Sequence, residues 1–321
     1  MLSLDQLRVA ADRLDGVAHR TPILTSRRLD ERLGAQVFLK AEHLQATGSF
    51  KIRGAFNAVA SLDDATRRRG VVAFSSGNHA QAVARAAQLH GIAATIVMPE
   101  DAPAAKRAAT SGYGADIVTY DRATGDREAI ATGLAADLGR AVIPPFDHRD
   151  VIAGQSTLAL ELFDDVGELD TLVVCVGGGG LISGCALAAH HLSPRCEVIG
   201  VEPRAGNDVQ RSLREGHIVS IPVPDTIADG QQTTSAGELT FEVIRRHVTD
   251  IVTVTDNEIL DAMDHLFRYQ RQVVEPSGAS ALAALLSGAV DVSGKRVGVT
   301  LSGGNIDPER FISLMTGWAT R

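Results

Sequence analysis

Hydrophobic positions in this chain recur in short blocks that alternate with longer, alanine-rich stretches of helical spacing. The alternation is most regular between residues 71 and 143, where each valine- or isoleucine-rich run is followed by a helix-like segment. These runs predict four strands, at 71–74, 95–98, 116–119 and 141–143. Strands that alternate with helices are typical of a parallel sheet covered by helices on both faces.

The same alternation extends on both sides of this region. Before it, the pattern predicts a helix at 3–17, a strand at 36–40 and a helix from Lys51 to about Leu62. After it, the prediction comprises strands at 171–176, 197–201, 251–254 and 296–301 and helices at 152–163, 181–191, 238–247, 257–271 and 278–288. Segment 203–237, rich in proline and glycine, is predicted to be mostly loop. The pair Pro144-Pro145 interrupts the rhythm, so we place a boundary between two α/β units close to it.

Composition narrows the class of protein. A chain of 321 residues that is 45% hydrophobic can build one large domain or two modest ones. The net charge of −8 argues against a nucleic-acid partner, and the short basic run Arg67–Arg69 is expected to be a solvated loop. No run of 18 apolar residues is present, so we expect no membrane partner. Three cysteines without C-x-x-C spacing and an N-terminus without a signal-peptide pattern predict a reduced, cytoplasmic protein.

Polar or glycine-rich loops follow three of the predicted strands. They are Ser75-Ser76-Gly77-Asn78-His79, the run Gly177–Gly180, and Ser302-Gly303-Gly304-Asn305. Ligands of parallel sheets bind beyond the carboxyl ends of the strands, so these loops are candidate site segments. A helix cap would explain one polar residue of the first loop but not all of them, which favours a binding site there.

The run Gly177–Gly180 stands between a predicted strand and a predicted helix. Successive glycines let backbone N–H groups approach an anion, and the helix dipole adds attraction. Ile182 occupies the last glycine position of a G-x-G-x-x-G pattern, so a dinucleotide is disfavoured and a compact phosphate fits better. A merely flexible turn is the alternative.

Lys51 stands between Phe50 and Ile52, and this setting allows two interpretations. The side chain could extend along the surface with its charge in water. Alternatively, it could be a desolvated amine of lowered pKa that acts as a nucleophile. Taken with the three loops, the second interpretation calls for a ligand with a phosphate, a ring with a polar edge and an aldehyde. Pyridoxal 5′-phosphate fits that description.

At this point the sequence resembles a known family, the fold-type II pyridoxal-phosphate enzymes of the serine/threonine dehydratase and serine racemase group. The similarity runs from Thr21 to Asn305 and includes the motif Gly-Ser-Phe-Lys-Ile-Arg-Gly-Ala around Lys51. It implies two open, twisted, mostly parallel sheets flanked by helices, as in the tryptophan synthase β-like fold. It further implies a large cofactor-binding domain of residues 1–61 and 148–321 and a small mobile substrate-binding domain of residues 62–147.

The resemblance also assigns roles within the site. It implies that Lys51 forms the Schiff base and acts as catalytic base, with Phe50 beside it in the cofactor site. Asn78 would bind the 3′-oxygen of the cofactor, Gly177, Gly178, Gly179 and Gly180 its phosphate, and Ser302 its pyridine nitrogen. Because a neutral hydroxyl does not keep that nitrogen protonated, β-elimination is favoured over transamination. The substrate would be bound by Ser75, Ser76, Gly77, Asn78, His79, Arg127 and Thr233, the last replacing a serine of some relatives.

A metal site and an assembly are implied in the same way. As a bare motif, the acidic segment from Glu202 to Asp208 is better explained by solvated surface carboxylates. The resemblance instead implies that Glu202, Gly206 and Asp208 hold Mg²⁺, or Ca²⁺ or Mn²⁺. It also suggests a homodimer. Since the sequence ends at Arg321, we expect neither a C-terminal regulatory domain nor feedback by isoleucine.

We therefore expect a dehydratase (ammonia-lyase) that converts L-serine, L-threonine or 3-hydroxyaspartate into a 2-keto acid and ammonia. The alternative is a serine racemase, in which Ser76 is the second base. The loop 75–79 is unlike that of β-replacement enzymes, which disfavours that reaction. A non-enzymatic amino-acid sensor is the remaining alternative.

Overall fold

Two separate β-sheets organise the chain in the computed structural model, which describes residues 1–102, 104–121 and 124–319. The strands, in chain order, are β1 Ile23–Leu24, β2 Gln36–Lys40, β3 Val71–Phe74, β4 Ala94–Pro99, β5 Asp116–Tyr120, β6 Ala141–Val142, β7 Thr171–Cys175, β8 Glu197–Pro203, β9 Asp250–Val254 and β10 Arg296–Thr300. One sheet has the order β1-β2-β10-β7-β8-β9, and its strands are parallel except for the short antiparallel β1. The other has the order β5-β4-β3-β6 and is entirely parallel.

Helices connect the strands of both sheets, as the alternating pattern predicts. In chain order they are α1 Leu4–Leu14, α2 Arg27–Leu33, α3 Lys51–Ser61, α4 Asp64–Arg69, α5 Asn78–His90, α6 Ala104–Gly112, α7 Arg127–Leu138, α8 Arg149–Val166, α9 Gly180–Leu192, α10 Asp208–Glu215, α11 Glu238–His247, α12 Asp256–His265, α13 Pro276–Leu286 and α14 Pro308–Ala319. A π-helical turn, Leu266–Gln270, continues α12. The predicted α/β class with two mostly parallel sheets is confirmed.

Each sheet is covered by apolar side chains on both of its faces. Along β7, Leu172 and Val174 belong to one hydrophobic cluster, and Val173 between them belongs to another. Along β3, Val71 and Val72 likewise belong to different clusters. Successive side chains of a strand point to opposite faces, so both faces of each sheet are buried. This burial explains why the strands read as continuous apolar runs rather than as alternating ones.

Two segments differ from their predicted structure. The run Arg67–Arg69 is the last turn of α4, not a solvated loop, and the carboxylate of Asp63 caps that helix by accepting from the Ala65 and Thr66 amides. The segment predicted to be mostly loop contains the helix α10. Both were missed for the same reason. α4 has no large apolar residue and α10 has only Val209 and Leu213, so neither short helix stands out in the hydrophobic pattern.

Within the part of the chain that the structure describes, every helix is too short or too polar to cross a bilayer.

Candidate active site

A cavity of about 330 Å³ lies where β3, β7 and β10 end, and the three polar loops predicted from the sequence all line it. It thus brings together residues that are distant in the chain. The predicted site residues in its wall are Phe50, Lys51, Ser75, Ser76, Gly77, Asn78, His79, Arg127, Gly177, Gly178, Gly179, Gly180, Thr233 and Ser302. The three residues of the predicted metal set lie elsewhere.

Lys51 opens α3 and directs its amine into this cavity. The Nζ atom donates a hydrogen bond to the carbonyl oxygen of Pro145 at 2.8 Å and lies 5.2 Å from the ring centroid of Phe50. The residue is half-buried and lines the cavity. Burial lowers the pKa of Lys51 from 10.5 to about 8. The geometry therefore favours the desolvated amine over a solvated lysine.

The loop after β3 forms the N-terminus of α5. Ser75 accepts a hydrogen bond from the Gly77 amide at 3.2 Å, and this folds the loop around the helix end. An amide-rich helix N-terminus attracts a carboxylate. His79 has a structural role, because its Nε2 donates a hydrogen bond to the carbonyl oxygen of Ile143 at 2.8 Å. Burial, with the nearby charge of Lys51, lowers the pKa of His79 to about 3, so the imidazole is a neutral anchor for the loop.

The run Gly177–Gly180 joins β7 to α9 and is closely covered. A Cβ atom at Gly178 would lie 2.3 Å from the ring of Phe146, and Gly179 has a φ of +93°, which side chains disfavour. The amides of Gly177, Gly178 and Gly179 donate to no atom of the described residues. Unpaired amides at a helix N-terminus form a cradle for a compact anion such as a phosphate.

Comparison with known proteins agrees with an anion site and a reactive amine in this cavity. The profile of the family described as "Pyridoxal-phosphate dependent enzyme" matches residues 14–303. The chain belongs to that family.

Its relatives include enzymes of two reaction types. The chain is 55% identical to an L-threo-3-hydroxyaspartate ammonia-lyase of Saccharomyces cerevisiae, covering 96% of this chain and 94% of that protein. It is 49% identical to a serine racemase of Schizosaccharomyces pombe, covering 97% of each. Among solved structures, a T.th. threonine deaminase superposes with a TM-score of 0.90 at 46% identity, covering 95% of this chain and 99% of that one. The predicted family, fold-type II class and pyridoxal-phosphate cofactor are confirmed.

In this pyridoxal-phosphate enzyme, a chain of hydrogen bonds fixes the side chain of Asn78. The amide nitrogen of Asn305 donates to Asn78 Oδ1 at 2.9 Å, and Asn78 Nδ2 donates to Glu275 Oε1 at 2.7 Å. Burial raises the pKa of Glu275 to about 8, so its carboxyl group is protonated at neutral pH. Sequence reasoning missed Glu275. The only signal was a carboxylate directly before Pro276 at a helix start.

Three further predicted residues occupy the cavity wall in distinct ways. Ser302 lines the cavity together with Cys175, whose thiol pKa burial raises to about 11. The hydroxyl of Thr233 is buried and has no partner among the described residues, so it is available to a ligand. The guanidinium of Arg127 lies 5.8 Å from the ring centroid of Phe74.

The predicted metal residues form a second, separate constellation. Glu202 in β8 accepts from the amides of Val209 and Gln210 at 3.1 and 2.8 Å, and Asp208 opens α10. Both carboxylates are fully buried, which rules out the solvated surface carboxylates favoured by the bare motif. Neither carboxylate oxygen of Asp208 has a partner among the described residues. Buried acceptors without donors fit a bound cation.

No group of three or more His, Cys, Asp or Glu side chains is arranged for metal binding in the described ranges. The predicted set would have to combine two carboxylates with the backbone carbonyl of Gly206.

Proposed function

We propose that this enzyme removes water from L-β-hydroxy amino acids and releases a 2-keto acid and ammonia. One observation carries the proposal. The enclosed amine of Lys51 shares a cavity with the helix N-terminus of loop 75–79 and with the neutral hydroxyl of Ser302. The names of the relatives support hydroxy amino acids as the class, with L-threo-3-hydroxyaspartate, L-threonine and L-serine as candidates.

The residues of the cavity would have different roles in cofactor binding, substrate binding and proton transfer. When bound, pyridoxal phosphate supplies an electron sink that stabilises negative charge at the substrate Cα. Lys51 would hold the cofactor through Nζ and then, as a free amine, take the Cα proton, with the Pro145 carbonyl orienting it. The glycine run 177–180 would hold the phosphate, Asn78 the ring oxygen and Ser302 the ring nitrogen, beside Phe50. Loop 75–79, with Arg127 and Thr233, would bind the substrate.

A substrate panel tests this function. Purified holoenzyme is given L-serine, D-serine, L-threonine and both 3-hydroxyaspartate diastereomers, and keto acid, ammonia and enantiomer ratio are measured. We expect keto acid and ammonia in equal amounts from at least one L-substrate. No keto acid from any of them would refute the proposal.

Serine racemisation is the second candidate function, and Ser76 is the observation that favours it. Ser76 lines the same cavity as Lys51, and its hydroxyl would return a proton to the opposite face of the substrate. Replacing Ser76 with alanine should lower racemisation by roughly 10²-fold or more and elimination by much less. An equal loss of both activities would show that Ser76 is not a second base. Ser75→Ala is the comparison variant and should lower both activities alike, since its hydroxyl supports the geometry of the substrate-binding loop.

The cation set, the assembly and the domain division belong to the same proposal. Glu202, Asp208 and the Gly206 carbonyl would hold Mg²⁺, Ca²⁺ or Mn²⁺, a structural role remote from the reaction. Residues 62–147 would form the small mobile substrate-binding domain against residues 1–61 and 148–321. We further propose that the protein is a cytoplasmic homodimer.

Magnesium is expected to raise the melting temperature of the protein. A ligand at a hundred times its Kd stabilises by about 2.7 kcal/mol, which is a shift of roughly 4 °C for a protein of this size. Differential scanning fluorimetry with EDTA or with Mg²⁺ measures it. Asp208→Asn should abolish the shift, because it removes the charge from the buried pair. The exposed Asp291→Asn should retain it. A shift that survives in Asp208→Asn would place the cation elsewhere.

A further inference from the structure

The wall of the active-site cavity carries a lysine that the motifs around Lys51 did not reveal. Lys106, in α6, donates from Nζ to Asp229 Oδ2 at 2.5 Å, and both residues line the cavity. The two residues reach the cavity from different parts of the fold. Lys106 is in α6, which connects strands of the four-stranded sheet, whereas Asp229 begins a 3₁₀ turn that comes after β8 in the chain. The cavity therefore already contains an ammonium–carboxylate contact.

We propose that Lys106 selects substrates with a second carboxylate, by exchanging Asp229 for the distal carboxylate of the substrate. The inference rests on the proposed dehydratase function and concerns the same cavity. A β-hydroxy amino acid such as serine or threonine has one carboxylate, for which loop 75–79 offers a helix N-terminus. A dicarboxylic one, such as 3-hydroxyaspartate, needs a second cationic partner in the cavity.

The ammonium of Lys106 keeps a carboxylate partner before and after the exchange. In the free protein the ammonium of Lys106 is paired with one carboxylate, and after exchange it would again be paired with one. The pair it leaves is partly exposed, with 20% of the Lys106 side chain and 35% of that of Asp229 accessible. Such a pair contributes little to stability, so breaking it is no large barrier. The flexible stem of lysine, unlike the rigid fork of arginine, suits a change of partner.

Besides Lys51, two other cationic residues line the cavity, Arg127 and Arg310, and neither contacts a cavity carboxylate among the described residues. The guanidinium of Arg127 lies near the Phe74 ring, and Arg310 is exposed and donates to the carbonyl oxygen of Ile227 at 3.3 Å. Lys106 is thus the cation that the fold already pairs with a carboxylate inside the cavity.

The test compares two substrates in two variants, one of which removes the cation of the Lys106–Asp229 pair and the other its carboxylate. Lys106→Met should lower kcat/KM for L-threo-3-hydroxyaspartate relative to L-threonine by about tenfold or more, the usual effect of losing a hydrogen bond to a charged group. Asp229→Asn removes the competing carboxylate, so KM for 3-hydroxyaspartate should fall and the ratio should rise. Lys295→Met is the matched control. It breaks a partly exposed pair with Glu197, 2.9 Å long and outside the cavity, and should leave the ratio unchanged.

A binding measurement separates selection from folding. L-aspartate lacks the β-hydroxyl group and cannot lose water, so its Kd and that of L-alanine can be measured by calorimetry on the holoenzymes. Lys106→Met should weaken L-aspartate binding about tenfold relative to L-alanine.

Several outcomes would overturn the inference. An equal loss of kcat/KM for both substrates in both variants would show that the Lys106–Asp229 pair has only a structural role. If the ratio of kcat/KM for the two substrates changes in Arg127→Met but not in Lys106→Met, the arginine is the residue that selects the dicarboxylic substrate. Wild-type enzyme that turns over neither substrate would refute the proposed function instead, and L-aspartate binding would then be the remaining measure of the Lys106 site.

Discussion

Replacing Lys51 with alanine is expected to lower keto-acid formation by at least about 10³-fold. The variant loses both the amine that would hold pyridoxal phosphate and the base that would take the Cα proton. We also expect it to lose the cofactor on gel filtration, as followed by the absorbance ratio of cofactor to protein. The cavity itself should persist, because its walls are built from the ends of β3, β7 and β10.

The size of this effect follows from the setting of the amine. At pH 7 an amine of pKa about 8 is neutral in about one molecule in ten, whereas at pKa 10.5 the fraction is about one in 3,000. Only the neutral amine is a nucleophile or a base. Uptake of pyridoxal phosphate by cofactor-free protein should therefore accelerate as the pH rises from 6 to about 8 and level off above it.

Lys51→Arg is the control for this prediction. It keeps a cation at the end of the cavity but has no neutral amine, so it should be as inactive as the alanine variant. Substantial activity in either variant would show that another group is the base. Uptake that continues to accelerate up to pH 10 would show that the amine is not desolvated.

A second large effect is expected at Arg53, two residues further along α3. Arg53→Met should destabilise the fold by about 3–5 kcal/mol, since it leaves the buried Glu42 carboxylate without its guanidinium partner. For a protein of this size the melting temperature should fall by roughly 5–7 °C, as measured by scanning calorimetry.

The reason is a buried network of two cations and two carboxylates beneath α3. Arg53 donates from Nε and Nη2 to Glu42, both at 2.8 Å, and from Nη1 to Glu161 at 2.6 Å. Lys40 donates to Glu161 as well, at 2.6 Å. Burial opposes ionisation of Glu42, but the charge and hydrogen bonds of Arg53 outweigh it and hold the pKa of Glu42 below its ordinary value.

Two variants delimit the effect. Glu42→Gln combined with Arg53→Met should be more stable than Arg53→Met alone, because the unpaired buried charge is then removed. Arg195→Met breaks an exposed pair with Glu168 and should leave the melting temperature nearly unchanged. If Arg53→Met melts like Arg195→Met, the network does not stabilise the fold.

Much of this architecture could be predicted from the sequence, because fully buried parallel strands produce continuous apolar runs. The alternation between 71 and 143 predicted the four-stranded sheet, and the strand-end rule predicted that loop 75–79, the glycine run and Ser302 would meet. The helices α4 and α10 could not be found in this way, since they are only six and eight residues long and contain few apolar residues.

The site was less predictable wherever a backbone group or a long-range contact supplies the chemistry. The Pro145 carbonyl that holds the Lys51 amine has no side-chain signature. The pairing of Lys106 with Asp229 spans 123 residues of sequence. A one-dimensional pattern does not contain such contacts, whereas a motif such as the glycine run does.

The backbone that leaves β6 contacts two parts of the active site through consecutive residues. Pro145 accepts from the Lys51 amine, and the ring of Phe146 covers Gly178. A displacement of one peptide unit would therefore move the reactive amine and the anion cradle together. In evolutionary terms, a mutation in this peptide unit would change cofactor affinity and the position of the base together. Substitutions at Lys106 could change substrate choice without changing either.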